Sequence, residues 1–221
     1  MGRGWHFSNS VDLPLTVMNN FDFVAPIYDR LVRIVFGNQL RDIQTRWLDL
    51  IPNDANVLIM GGGTGWILDE VVKRKPQARI DYIEASAKMI ELSAKRPIDM
   101  SCVNLIHGNE SHIPDNQSYD VIITNFFLDV FEEARLNSIL KKLNSTLSPN
   151  GILICSDFRN TKKIQHRLLL WSMHRFFNLA SRMESKSLND IPKHMLQSGF
   201  KQKEQATSYN GLLFSSVYVK A

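Results

Sequence analysis

Asn56-Val57-Leu58-Ile59-Met60-Gly61-Gly62-Gly63-Thr64-Gly65-Trp66-Ile67-Leu68-Asp69-Glu70-Val71 joins a short apolar run to a glycine-dense turn and then to an amphipathic segment. The run suits a strand covered on both faces. Four glycines in the five positions 61–65 leave the backbone open to a ligand with no Cβ in the way. A plain strand-to-helix turn needs no such density. In an open α/β sheet ligands bind at the carboxyl ends of the strands, so this first strand-to-helix junction marks a binding site.

Outward from this junction the pattern repeats. Strands are expected at Arg79–Glu84, Cys102–His107, Tyr119–Asn125 and Gly151–Asp157, with helical segments starting near Thr64, Ser86 and Glu132 between them. This alternation predicts an α/β fold around a mostly parallel sheet. Ahead of the first strand, Phe23–Phe36 and Gln39–Ile51 carry apolar residues at helical spacing on either side of Gly37. Behind the fifth come a helix at Lys162–Arg182, a short one at Asp190–Gln197, and strands Lys201–Tyr209 and Leu212–Lys220. Asn210-Gly211 predicts a two-residue hairpin turn between them. No linker interrupts the pattern, so residues 1–221 read as one domain: a helical preface (1–51), a binding core (56–157) and a helical insertion with a final hairpin (158–221).

Composition excludes several classes. The chain has 221 residues, 44% hydrophobic and 22% charged, within the globular range. The net charge of +4 is too small to announce a nucleic-acid partner. Cys102 and Cys155 each lie in an apolar run, which argues against a disulfide framework or a cysteine zinc site, and no histidine pair has metal spacing. The first residues lack the apolar core of a signal peptide, His6 breaks the myristoylation pattern, and no apolar stretch is long enough to span a bilayer. A soluble protein of the reducing cytoplasm is the expectation.

The ligand class follows from spacing and charge. Trp66 stands where the dinucleotide fingerprint needs its third glycine, leaving G-x-G-x-G. Glu84 ends the second strand, where a carboxylate accepts from both ribose hydroxyls and disfavours a 2′-phosphate. At this point the chain resembles the class I S-adenosylmethionine-dependent methyltransferases over roughly residues 18–157. The resemblance implies a Rossmann-like, seven-stranded, mostly parallel sheet with helices on both faces, and S-adenosyl-L-methionine as cofactor. It implies cofactor contacts at Gly61, Gly63 and Gly65, at Glu84 and Ala85, at Met89 against the adenine, at Asn109 and Glu110 in Gly108-Asn109-Glu110-Ser111-His112-Ile113-Pro114, and at Asn125. The preface, Asn20-Phe21-Asp22-Phe23-Val24-Ala25-Pro26-Ile27-Tyr28-Asp29, is similar to methyltransferases of the quinone-biosynthesis type, which places Tyr28 over the methionine end.

Two departures stand out. Ile59 replaces the acid usual two residues before the first glycine, and Asn109 replaces the acid facing the adenine amino group. The Gly61-Gly62-Gly63 triplet also resembles the aminopropyltransferases, which use decarboxylated S-adenosylmethionine, although Asn125 and Thr64 stand where those enzymes carry aspartates. A non-catalytic relic of the cofactor site is the third reading.

Methyl transfer from a sulfonium needs alignment and exclusion of water more than a dedicated base. His112, Asp129 and Arg159 fall near the expected pocket mouth with no readable partner. Phe127, Arg159 and Trp171 are the candidate acceptor contacts. Between Arg159 and Lys203 ten basic residues face only Glu184 and Asp190, and the same stretch carries Trp171, Phe176 and Phe177. This composition suits a core-packed helix, a cover over an apolar guest, or a peripheral membrane contact through 162–182. A small or lipophilic acceptor is the expectation.

Overall fold

The computed structural model describes residues 35–159, 161, 163–166, 168–170 and 189–221. Strands β1 (Asn56–Met60), β2 (Arg79–Glu84), β3 (Val103–His107), β4 (Tyr119–Asn125), β5 (Leu147–Phe158), β6 (Phe200–Ser208) and β7 (Leu213–Lys220) form one sheet in the order β3-β2-β1-β4-β5-β7-β6. Only β7 runs against its neighbours. The strand order reverses direction between β1 and β4, which opens a crevice at their carboxyl ends.

Alternation along the strands feeds two apolar layers. Leu58, Met60, Ile122, Leu153, Cys155, Phe214 and Tyr218 face one layer, which is covered by Leu136, Ile139, Leu140 and Leu143 of helix α4 (Glu133–Thr146) and by Ile191 and Met195 of α5 (Ile191–Gln197). Val57, Ile59, Val121, Ile123 and Ile154 face the other, against Ile67, Leu68, Val71 and Val72 of α2 (Trp66–Arg74). Tyr119 joins the first layer despite its odd number because the β4–β5 register shifts between Tyr119 and Val121. The carboxyl edge carries α1 (Gln39–Thr45), whose Leu40 and Ile43 pack with Phe36 on Phe158, Leu212 and Leu213.

Several boundaries move. The helix expected over Gln39–Ile51 divides into α1 and a 3-10 turn at Leu48–Leu50, because the Thr45 hydroxyl bonds back to the carbonyl of Arg41 at 3.1 Å and loosens the helix end. β3 begins at Val103 rather than Cys102, and β5 reaches back to Leu147. The last two strands are joined by four residues rather than two, since Ser208 pairs with Leu213. Asn210 and Gly211 do take positive φ (55° and 90°), but so does Tyr209 (49°). Tyr209 is held there by tertiary contacts: its amide donates to Gln39 Oε1 at 2.8 Å and its ring stacks edge-on to Phe36. Residues 164–166 and 168–170 are helical, in keeping with the start of the Lys162–Arg182 helix. Tyr28, Trp171, Phe176 and Phe177 lie outside the described residues.

Candidate active site

The crevice is a cleft walled by α1 on one side and by the ends of β1, β2 and β4 on the other. Its floor is the glycine turn. Gly61 takes φ +65°, and a Cβ there would stand 2.3 Å from the Phe127 ring, so no other residue fits without displacing that aromatic. Gly65 caps α2 at φ +81° against Ser93; it shapes the turn from behind and is not on the cleft wall.

Glu84 clamps this turn to the next element. One carboxylate oxygen accepts from the Gly63 amide and the other from the Ser86 amide, both at 2.9 Å. Burial raises its pKa, opposed by the amides of Ser86, Gly63 and Ala85. From behind, the Gly63 carbonyl accepts from the Tyr82 hydroxyl (2.7 Å) and Ser93 Oγ (3.0 Å), while Arg96 donates to the Thr64 carbonyl and pairs with Asp69 at 3.0 Å. These ties fix the carbonyls of the turn, and burial followed by the charge of Glu84 pushes the Tyr82 hydroxyl pKa upward, keeping it a neutral donor.

Beyond Glu84, Ser86 caps α3 (Ala87–Ala94) by accepting from the Met89 amide at 3.1 Å, and this brings Ala85 and Met89 to the cleft. Asn109 and Glu110 line the same end. The Asn109 side chain also holds its own loop, since Oδ1 accepts from the Ser111 amide (2.9 Å) and hydroxyl (2.7 Å) and so caps a 3-10 turn at Glu110–His112. Glu110 pairs with Arg135 at 3.4 Å. At the other end Asn125 is buried on the wall beside Phe126, Phe127 and Phe131, and neither of its amide atoms has a hydrogen-bond partner among the described residues. Ile59 lines the floor where an acid would be usual.

The remaining sequence candidates lie elsewhere. His112 faces the Asn109 amide as part of the cap, which accounts for it structurally. Asp129 is buried, and its charge acts on the buried carboxyl group of Asp157. Arg159 is off the cleft wall, its guanidinium 5.6 Å above the Phe214 ring. Arg41 and Gln44 of α1 and Phe126 belong to the wall, and sequence reasoning did not single them out; Trp66, noted in sequence only for breaking the dinucleotide fingerprint, lines it too. The helical spacing of Leu40 and Ile43 carried a signal for α1, because it fixes the apolar face and so sets Arg41 and Gln44 off it.

The methyltransferase-domain family profile matches residues 31–203. The chain is 31% identical over 152 residues to a malonyl-[acyl-carrier protein] O-methyltransferase of Halalkalibacterium halodurans, covering 65% of this chain and 55% of that protein. It is 29% identical over 161 residues to the demethylmenaquinone methyltransferase of Thermotoga maritima, covering 68% and 66%. It is 33% identical over 117 residues to a polyamine aminopropyltransferase of Methanocaldococcus jannaschii, covering 47% and 39%. The chain thus spans between 39% and 66% of these relatives' lengths. Among solved structures, the DhpI–SAH complex superposes with a TM-score of 0.66 at 12% identity over 91% of this chain and 93% of that one, a likeness of fold. With a profile match across most of its length, over a sheet and crevice of this form, the chain belongs to the methyltransferase-domain family.

Proposed function

We propose that the cleft binds S-adenosyl-L-methionine and that the protein transfers its methyl group to a small or lipophilic acceptor. The Glu84 clamp carries this reading. Each carboxylate oxygen is engaged by one amide and keeps a second acceptor site, the pair that two vicinal ribose hydroxyls require. The rest of the wall fits the same guest. Gly61 and Gly63 leave the backbone open, Ala85 and Met89 offer an apolar seat for adenine, and the Asn125 amide, unpartnered among the described residues, would take a polar partner at the methionine end. The adenine amino group would share or displace the Ser111 hydroxyl at Asn109 Oδ1, and Glu110, on the same stretch of wall, would border the nucleoside.

The cofactor supplies an electrophilic methyl on sulfur; the chain's contribution is alignment and exclusion of water. Phe126, Phe127 and Phe131 form that dry end, with Phe126 at φ 51° packed edge-on to Phe158 at 4.8 Å. An aromatic wall favours an apolar acceptor, in keeping with the quinone relative. The exposed Ile164 and Leu168, a helical turn apart beside Lys163, extend the lipophilic character and support peripheral membrane contact there. The two free cysteines suit a reducing compartment such as the cytoplasm. Aminopropyl transfer is the weaker reading, because Asn125 places a neutral amide at the end of β4.

Calorimetry with S-adenosylhomocysteine tests the cofactor site. Binding should be measurable and should raise the melting temperature by mass action; no heat and no shift at saturating ligand would sink the proposal. Transfer of label from methyl-labelled S-adenosylmethionine to a panel of quinols, phenols and acyl carboxylates then assigns the acceptor.

A further inference from the structure

We propose that the buried carboxyls of Asp129 and Asp157 share a proton and so latch the aromatic wall of the cleft, and that this wall loosens as the pair ionises. The inference rests on the reading of Phe126, Phe127 and Phe131 as the acceptor end and adds what holds that end in place.

Neither carboxyl lines the cleft, so both are positioning residues. The end of β5 grips the segment that follows β4. The Ser156 carbonyl accepts from the Phe126 amide at 2.7 Å, and the Phe158 ring packs edge-on to that of Phe126 at 4.8 Å. Between them Asp157, fully buried, accepts from the Phe158 amide at 2.8 Å. Burial and then the charge of Asp129 raise its pKa, against the amides of Phe158, Leu128 and Asp129. Those last two amides belong to the 3-10 turn Leu128–Val130, which lies between Phe127 and Phe131, whose rings meet edge-on at 5.0 Å. Phe126 itself is held at φ 51°, a left-handed conformation that a bulky residue keeps only where its surroundings impose it. The wall is thus strained backbone kept in place by β5.

The surroundings offer the pair no opposite charge. Among the described residues neither carboxyl enters an ion pair, and Asp157 Oδ2 has no hydrogen-bond partner. On β5, Cys155 feels the charge of both carboxyls and is the register partner of Thr124 on β4. On β7, Tyr218 feels Cys155, Arg159 and Asp190, with the Arg159 guanidinium over the Phe214 ring. On the covering helices His194 is bonded to Asn137 at 3.0 Å and Arg135 pairs with Glu110, while Glu132 and Glu133 are exposed. Two carboxyls in such a place do not both ionise cheaply, so the pair retains a proton above the ordinary carboxylate range. Once it leaves, like charges push the turn that carries Asp129 away from β5, and Phe127 and Phe131 move with it.

Hydrogen–deuterium exchange of the wild type and of Asp129→Asn, followed by mass spectrometry between about pH 5 and about pH 8 and expressed as protection relative to unstructured chain, tests the latch. In the wild type, protection over residues 126–131 should fall by about tenfold or more as pH rises, the equivalent of about one pKa unit. At the upper end it should lie below that of α2, because the segment opens locally. Asp129→Asn keeps the shape of the side chain and removes one titrating carboxyl, so it should abolish the fall. Wild-type protection that holds over the interval overturns the proposal, whatever the stability of the variant. Protection equal to that of α2, or a fall that persists in Asp129→Asn, overturns it as well. Calorimetric titration of the wild type with S-adenosylhomocysteine over the same interval separates the latch from the functional reading beneath it. Affinity should not fall as pH rises; a fall that follows the loss of protection overturns the assignment of the latch to the acceptor end. Absence of binding refutes the cofactor reading and leaves the latch to be decided by exchange alone.

Discussion

Glu84 holds the glycine turn and, in the proposed complex, the ribose, so its removal should register twice. Glu84→Ala should weaken S-adenosylhomocysteine binding by roughly 1.5–3 kcal/mol, the range for hydrogen bonds to a charged group; unchanged affinity by calorimetry would return the residue to a purely structural role. Burial raises the Glu84 pKa, so protonation removes acceptor capacity at higher pH than for an ordinary carboxylate. Cofactor affinity should therefore fall on acidification before a solvent-exposed glutamate would titrate. Both Glu84 and the glycines were legible in sequence because their roles are encoded next to a strand end. Arg41 was not, since its position on the wall depends on how α1 packs against strands far along the chain. Tyr82, Ser93 and Arg96, which brace the turn from behind, were hidden for the same reason.

At the scale of elements, capping decides how the adenine end is presented. Ser86→Ala should cost about 1 kcal/mol of stability by losing the α3 cap, measured by denaturant unfolding, with Ala85 and Met89 displaced from the cleft as a secondary loss of affinity. Asn109→Asp should be tolerated in both respects, because aspartate caps as well as asparagine and accepts the same bonds from Ser111; a large fall in melting temperature would show that the amide donor is needed. The five parallel strands were readable from apolar runs bounded by turn residues, and their register follows from two buried faces. Strand ends and the final link were not. Ser148-Pro149-Asn150-Gly151 is a turn-prone sequence yet lies inside β5, where Leu147 pairs with Tyr119 across the register shift. The Asn210-Gly211 signal was obeyed in its dihedral angles, but Gln39 and Phe36 lengthened the loop around Tyr209.

For the molecule as a whole, the buried carboxyl pair Asp129 and Asp157 should dominate the pH dependence of stability. Burial pushes Asp129 up to about 6, and burial together with the charge of Asp129 raises Asp157 well above the usual range. Among the described residues Thr124 Oγ1, Asp157 Oδ2 and the Tyr218 hydroxyl have no hydrogen-bond partner, and Cys155 adds a thiol whose pKa burial also raises. The folded state thus binds more protons than the unfolded one above the ordinary carboxylate range, so stability must fall as pH rises. Unfolding free energy should decrease between about pH 5 and about pH 8, and Asp157→Asn should flatten that slope; a wild-type stability that rises over the interval would refute the protonated pair. The packing of α1 on Leu212 and Leu213, pinned by Gln39 to Ser208 and Tyr209, has a further consequence. The outer wall of the cleft is braced by residues that leave the ribosome about 170 positions after Gln39. A nascent chain can assemble the glycine turn and the Glu84 clamp early, yet this brace on α1 and Arg41 becomes available only when the final hairpin has emerged.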